Sequence, residues 1–227
     1  MKWQEFKKIW PHTVPVLAGY VFLGFAFGLL MRTNGFSFFT PVAMSVFIFS
    51  GALEFAAVPM LTAAFDPLGS FILGLMLSAR HIFYGLPMLK KYAACKKSRP
   101  FLIFGLTDET FSILSSRAVP EGVRPRSFYL GVTGLNFFYW VFGTALGAGL
   151  GTLLRFNAEG LDFALTALFV VLFVEQLKTK EGRVSGFAGL AASAAVLALA
   201  GSDVFVLLSM AVILALLLAG RRVISHE

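Results

Sequence analysis

The chain has 227 residues, of which 58% are hydrophobic and only 14% are charged, and its mean hydropathy is +0.81. A soluble domain of this length cannot bury so much apolar surface, so the composition excludes an ordinary soluble protein and predicts an all-α polytopic membrane protein. The formal net charge of +7 falls on residues that stand between apolar runs, which indicates contact with anionic lipid rather than with nucleic acid.

The sequence also excludes several kinds of active site. It contains no HExxH, GxSxG, P-loop or dinucleotide-binding motif, so we expect no catalytic residues and no ATP-driven step within this chain. The single cysteine, Cys95, can form neither a disulfide framework nor a cysteine-built metal site. We therefore expect a protein that is not an enzyme and that uses no metal and no cofactor.

Eight apolar segments follow a basic N-terminus. The first segment lacks a small-residue cleavage pattern, so we interpret it as a membrane anchor rather than as a removed signal peptide. Most of the segments approach the length of about 20 residues that a membrane-spanning helix needs. They lie near residues 14–31, 39–64, 68–89, 100–116, 128–154, 161–177, 184–200 and 203–220.

Two of these segments look like interrupted helices. The segment 39–64 carries Ser50-Gly51 near its middle, and the short segment 100–116 contains the polar run from Thr107 to Thr110. Gly51 and Thr107 are the expected starts of half-helices, whose free backbone N–H groups favour anions.

The distribution of Lys and Arg favours a topology in which both interrupted segments enter the membrane and return. In that arrangement sixteen of the 19 basic residues are cytoplasmic, Arg32 and Arg155 are outside, and Arg80 lies in the membrane. If all eight segments cross instead, the loops divide eleven to seven, which is a much weaker positive-inside bias. We predict six full spans plus two broken or re-entrant segments in one transmembrane domain over residues 1–227, with both termini cytoplasmic; eight full spans remain the alternative.

Buried charges mark a candidate transport site. Arg80-His81 falls near the middle of 68–89, and a charged group at that depth costs about 2.5–3.5 kcal/mol on insertion scales. Glu54 and the Asp108-Glu109 pair add to this cost unless the charges meet each other, helix ends or water. The alternative is structural: acids in first helical turns with Arg80 as their counter-ion.

Further polar and small residues complete the candidate set. His81 could relay protons, because its ordinary pKa lies near neutrality, or bond to a neighbouring helix. Asn136 could touch substrate, although a bond between helices is the more common role for such a residue. The pairs Gly24/Gly28 and Gly143/Gly147 have small-xxx-small spacing, which lets helices approach closely either within the chain or against a partner. Asp162 and Glu175 are weaker candidates.

Four short stretches in this order give a resemblance to a known family. They are Ser50-Gly51-Ala52-Leu53-Glu54-Phe55, Ser78-Ala79-Arg80-His81, Thr107-Asp108-Glu109-Thr110-Phe111 and Gly160-Leu161-Asp162-Phe163-Ala164. Together they resemble the AzlC family of branched-chain amino-acid permeases over nearly the whole chain. The resemblance implies export of leucine-, isoleucine- and valine-like amino acids together with a small membrane partner of the AzlD type. The family often has Gln at the position of Glu54 and Asn at that of Ser78, which makes the acid a candidate determinant of substrate preference or proton coupling.

Residues and resemblance together give a transport hypothesis with two rivals. A zwitterionic amino acid would bind between the interrupted segments at Gly51, Glu54, Arg80, Asp108 and their neighbours, and protons could be coupled through an acid or His81. An intramembrane acid/base enzyme would alter its substrate chemically, whereas a permease releases it intact. A non-transporting membrane subunit would use the buried charges to contact its partner, so neutralising them would lower complex yield rather than flux.

Overall fold

The computed structural model describes residues 3–64, 66–78, 80–151 and 180–201, with scattered single positions between 170 and 216; of Arg80 it describes the backbone alone. All regular structure within these residues is helical. Most of the predicted spans 161–177 and 203–220, together with Asp162 and Glu175, lies outside the described residues. The chain divides into two compact units, residues 1–165 and 166–227.

The second unit contributes one described long helix, α9 (Lys180–Ala200). Near its start Gly186 packs so closely on Leu177 that a Cβ atom there would lie 2.8 Å from a leucine methyl group. The helices of the first unit are α1 (Trp3–Thr33), α2 (Phe39–Phe47), α3 (Gly51–Thr62), α4 (Pro67–Ser78), α5 (Arg80–Tyr92), α6 (Arg99–Phe104), α7 (Asp108–Ser116) and α8 (Pro125–Leu150), with a short 3₁₀ turn at Lys96–Ser98.

Helices α1 and α8 form the centre of the first unit. With 31 and 26 residues they are about 46 and 39 Å long at 1.5 Å per residue. Helix α1 begins eleven residues before the predicted apolar segment, because the apolar run marks only the part of the helix that avoids water. Within the described residues, α1 is also the one helix that is both long and apolar enough to cross a membrane by length and composition.

Four glycines allow α1 and α8 to pack backbone against backbone. A Cβ atom on Gly24 would lie 2.6 Å from the Trp140 carbonyl oxygen, and one on Gly143 would lie 2.5 Å from that of Val21. One turn further on, a Cβ on Gly28 would collide with the backbone of Thr144, and one on Gly147 with that of Phe25. The two small-xxx-small pairs therefore face each other within the chain, which answers the question that their spacing left open.

Both predicted helix interruptions are confirmed. The first segment consists of α2 and α3, separated by residues 48–50, where Phe49 has a positive φ of 48° and Ser50 is extended. The second consists of α6 and α7, separated by residues 105–107, and the Thr107 side chain caps α7 by accepting from the Thr110 backbone N–H. The first half-helix starts at Gly51 as predicted, and the second starts at Asp108, one residue after the predicted Thr107, which is its N-cap.

The predicted segment 68–89 is helical on both sides of residue 79, as α4 and α5.

Two apolar clusters hold the first unit together. One is centred on Phe27, Phe55 and Trp140, and the other on Tyr92, Leu102 and Phe128. Many other large apolar side chains are exposed on the helices, among them Phe22, Phe39, Phe47, Phe71, Leu75 and Leu86. Such a surface is unfavourable in water and suits a hydrocarbon environment.

Candidate functional site

Glu54 lies in the first turn of α3 and is completely buried. The Trp140 indole N–H donates to both of its carboxylate oxygens, at 3.0 and 3.1 Å. The Ser50 backbone N–H donates to Oε1 and the Ser45 hydroxyl to Oε2, each at 3.1 Å. Glu54 thus caps its own half-helix and ties α2, α3 and α8 together through donors that are all neutral.

A second hydroxyl extends this network into α8. Ser45 Oγ lies 2.8 Å from Thr144 Oγ1, and both residues are fully buried. The Ser45 hydroxyl faces two acceptors, Glu54 Oε2 and Thr144 Oγ1, and its single proton can go to only one of them at a time. Ser45 on α2 therefore links Glu54 on α3 to Thr144 on α8.

Gly51 makes room for Trp140. A Cβ atom on Gly51 would lie 2.7 Å from Cη2 of the indole ring, so any larger residue would push the ring away from α3. The sequence singled out Gly51 as a half-helix start, and the structure adds that it positions the ring that binds Glu54.

The second interruption carries its own polar cluster. The Tyr20 hydroxyl donates to Glu109 Oε2 at 2.6 Å and lies 2.7 Å from Thr107 Oγ1. Thr107 Oγ1 in turn lies 3.1 Å from Thr110 Oγ1. Glu109 is thus held at the start of α7 by a tyrosine from α1.

Trp140 and Tyr20 join the two clusters. Their ring centroids are 5.5 Å apart at 76°, an edge-to-face contact of the kind that aromatic rings prefer. The indole binds Glu54 at one interruption and packs on Tyr20, which binds Glu109 at the other. The structure therefore brings Gly51, Glu54 and Glu109 into one neighbourhood on the face of α8.

Asn136 lies one turn before Trp140 on the same helix and is also fully buried. Its Nδ2 donates to Thr110 Oγ1 at 3.0 Å, which is the bond between helices that the sequence favoured. Its carbonyl oxygen Oδ1 has no hydrogen-bond partner among the described residues.

The remaining predicted residues lie around this centre. Asp108 is half-buried in the first turn of α7. His81 donates through Nδ1 to the Ser78 carbonyl oxygen at 3.0 Å, and its ring contacts Tyr84. Tyr84 stacks on Phe111 of α7 with a centroid distance of 5.0 Å. Tyr84 thus connects the His81 ring to α7. Arg80 begins α5.

Sequence reasoning missed Trp140, Tyr20, Ser45 and Thr144 as members of the site. A signal was present in α8, where Thr133, Asn136, Trp140 and Thr144 recur at spacings of three or four residues and so share one helical face. A polar face on an otherwise apolar helix indicates internal contacts rather than lipid.

The described residues form an all-helical protein in which two interrupted helices meet on one central helix, around the buried carboxylate of Glu54 and the partly buried one of Glu109. Residues 15–154, which include both interruptions, match the model of the AzlC protein family. The chain belongs to the AzlC family, and its role is that of a membrane transporter.

Several curated relatives cover most of the chain. The branched-chain amino acid transport protein AzlC of Bacillus subtilis (strain 168) is 44% identical over 220 residues, covering 97% of this chain and 87% of that protein. An uncharacterized membrane protein of Helicobacter pylori (strain ATCC 700392 / 26695) is 36% identical, with 96% of each chain covered. The inner membrane protein YgaZ of Escherichia coli (strain K12) is 32% identical, covering 74% of this chain and 72% of that protein. No solved structure matches the chain.

Proposed function

We propose that the protein exports branched-chain or related aliphatic amino acids across the cell membrane. The observation that carries this proposal is the meeting of two interrupted helices at Trp140 and Tyr20, with Glu54 and Glu109 bound there. Interrupted helices that meet inside a membrane protein are a recurrent way to build a solute site. The Bacillus subtilis relative, a branched-chain amino acid transport protein, supports the substrate class.

We further propose one transmembrane domain over residues 1–227, with six full spans, two re-entrant segments and both termini cytoplasmic. The positive-inside distribution supports this topology, and both proposed re-entrant segments are divided into half-helices. Labelling of cysteines or tags placed at residues 65–67 and 117–127 tests it. Re-entrant segments predict external access at the first loop and cytoplasmic access at the second, whereas eight full spans put both loops on the cytoplasmic side.

In the proposed mechanism the amino acid binds between the interruptions, and its branched side chain lies among Phe, Leu and Val residues. One methylene changes binding by only about 1–3 kcal/mol, so selectivity among aliphatic amino acids should be loose.

We assign proton coupling to Glu54. Its two oxygens accept four hydrogen bonds as a carboxylate. Protonation would turn one oxygen into a donor and so break part of its contact with Trp140.

A small membrane subunit of the AzlD type is the proposed partner. Exposed apolar side chains on α2, α4 and α5, such as Phe39, Phe71 and Leu86, are compatible with lipid or with helices of such a subunit.

Efflux of preloaded radiolabelled leucine from cells, with and without the AzlD-type subunit, tests the function. Wild type should release intact leucine, while Glu54→Gln, Arg80→Ala and Asp108→Asn should release it more slowly at equal membrane expression. Glu121→Gln is the matched control, because this acid is exposed in the loop before α8. Chemically altered leucine would favour an enzyme, and reduced complex yield at unchanged flux would favour a non-transporting subunit. An unchanged pH dependence in Glu54→Gln would remove Glu54 from proton coupling.

A further inference from the structure

The face of α8 one to two turns before Trp140 points at the interruption between α6 and α7. Thr133 and Asn136 are three residues apart and therefore neighbours on this face. The Thr133 methyl group packs against Gly105, where a Cβ atom would collide with it. Asn136 bonds Thr110 in the first turn of α7. Both side chains thus belong to the second interruption rather than to the Glu54 cluster.

Two oxygen atoms at this place have no hydrogen-bond partner among the described residues, Asn136 Oδ1 and Thr133 Oγ1. Both residues are fully buried. The Tyr92 hydroxyl lies beside Thr133 and interacts with it, although it too has no partner that meets the geometric criteria of a hydrogen bond. Buried polar atoms are nearly always paired, and leaving one unpaired destabilises a fold. Two unpaired oxygens on adjacent turns of one helix therefore indicate a ligand that donates hydrogen bonds.

We propose that Asn136 Oδ1 and Thr133 Oγ1 bind the ammonium group of the transported amino acid. An ammonium group has three N–H donors, and these two oxygens retain lone pairs that can accept from it. The proposal rests on the proposed function and changes the role of Glu54, whose oxygens already accept from Trp140, Ser50 and Ser45. Neutral oxygens hold the amine, and the acid remains available for the proton.

Thr133→Val is the decisive variant. Valine has nearly the shape of threonine but lacks the hydroxyl, and Thr133 Oγ1 has no hydrogen bond to lose among the described residues. A purely structural role therefore predicts unchanged expression and unchanged transport. The proposal predicts unchanged expression and a KM for leucine raised about tenfold, because one hydrogen bond to a charged group is lost. Thr133→Ser, which restores the hydroxyl, should return KM to near the wild-type value.

The measurement is uptake of radiolabelled leucine into inside-out membrane vesicles that contain the protein with its AzlD-type subunit. Inhibition by 4-methylpentanoate, which has the leucine side chain and carboxylate but no amine, should be equal in wild type and Thr133→Val. Inhibition by isopentylamine, which has the amine but no carboxylate, should weaken in the variant. Asn136→Asp keeps an acceptor oxygen and should retain more transport than Asn136→Leu.

The outcomes separate this proposal from the proposed function. If wild-type vesicles do not accumulate leucine, the proposed function fails. If they do and Thr133→Val has the wild-type KM, the ammonium site alone is refuted. If replacing Na⁺ by K⁺ slows the wild type but not Thr133→Val, the two oxygens bind an inorganic cation, and the ammonium assignment is again overturned.

Discussion

Substitution of Gly147 by alanine should weaken the contact between α1 and α8. The added Cβ atom would collide with the backbone of Phe25, which cannot move aside as a flexible side chain can, so the helices must separate locally. Overpacking of this kind costs about 1–3 kcal/mol, while alanine recovers up to about 1 kcal/mol of helix propensity. The expected net loss is therefore between about 0 and 3 kcal/mol.

Thermal unfolding of the purified protein in detergent, followed by intrinsic fluorescence, measures this loss. For a chain of this size, 1 kcal/mol corresponds to about 2–4 °C in Tm, so Gly147→Ala should lower Tm by up to about 12 °C. Gly134→Ala is the matched control on the same helix and Gly19→Ala the one on α1, since a Cβ atom at either position has no neighbour within 4 Å. Both controls should be neutral or slightly stabilising.

The close packing of α1 on α8 would be refuted if Gly147→Ala were as stable as Gly134→Ala. It would also be refuted if all three substitutions lowered Tm equally, because the effect would then belong to alanine in the helices and not to the crossing.

Two further predictions concern the contact between Trp140 and Glu54. Trp140→Phe removes both indole bonds to the buried acid and should cost about 1.5–3 kcal/mol, the usual range for bonds to charged groups; the same unfolding assay should show the drop, and leucine efflux should slow. Gly51→Ala places a methyl group against the indole ring and should slow efflux through the same contact. The double variant should therefore be little worse than either single variant, since effects on one contact are not additive, and an additive loss would contradict this reasoning.

Local chemistry made the helix interruptions predictable. Ser50-Gly51 and Thr107-Asp108 combine residues that end or cap helices with acids in the following turn, and such preferences act over only a few residues. The structure begins α3 at Gly51 and α7 at Asp108. Glu54 and Glu109 therefore occupy the first turns in which the sequence placed them.

The partners of these acids were not predictable in the same way. The sequence offered Arg80 as a counter-ion, whereas the described donors to Glu54 are the indole of Trp140, the hydroxyl of Ser45 and a backbone N–H. Trp140 is 86 residues away from Glu54 along the chain. Periodicity places a residue on a helix face, but it does not say which distant helix that face meets.

The sequence by itself determined the membrane environment, the all-helical class and the two helix interruptions, because hydropathy and helix-end preferences are properties of short stretches of chain. The tertiary structure alone decided that Gly24 and Gly28 meet Gly143 and Gly147 within the chain, and that one face of α8 serves both interruptions. The physical reason is that close backbone packing and buried hydrogen bonds depend on how distant helices are positioned in space, and local sequence preferences carry no information about that arrangement.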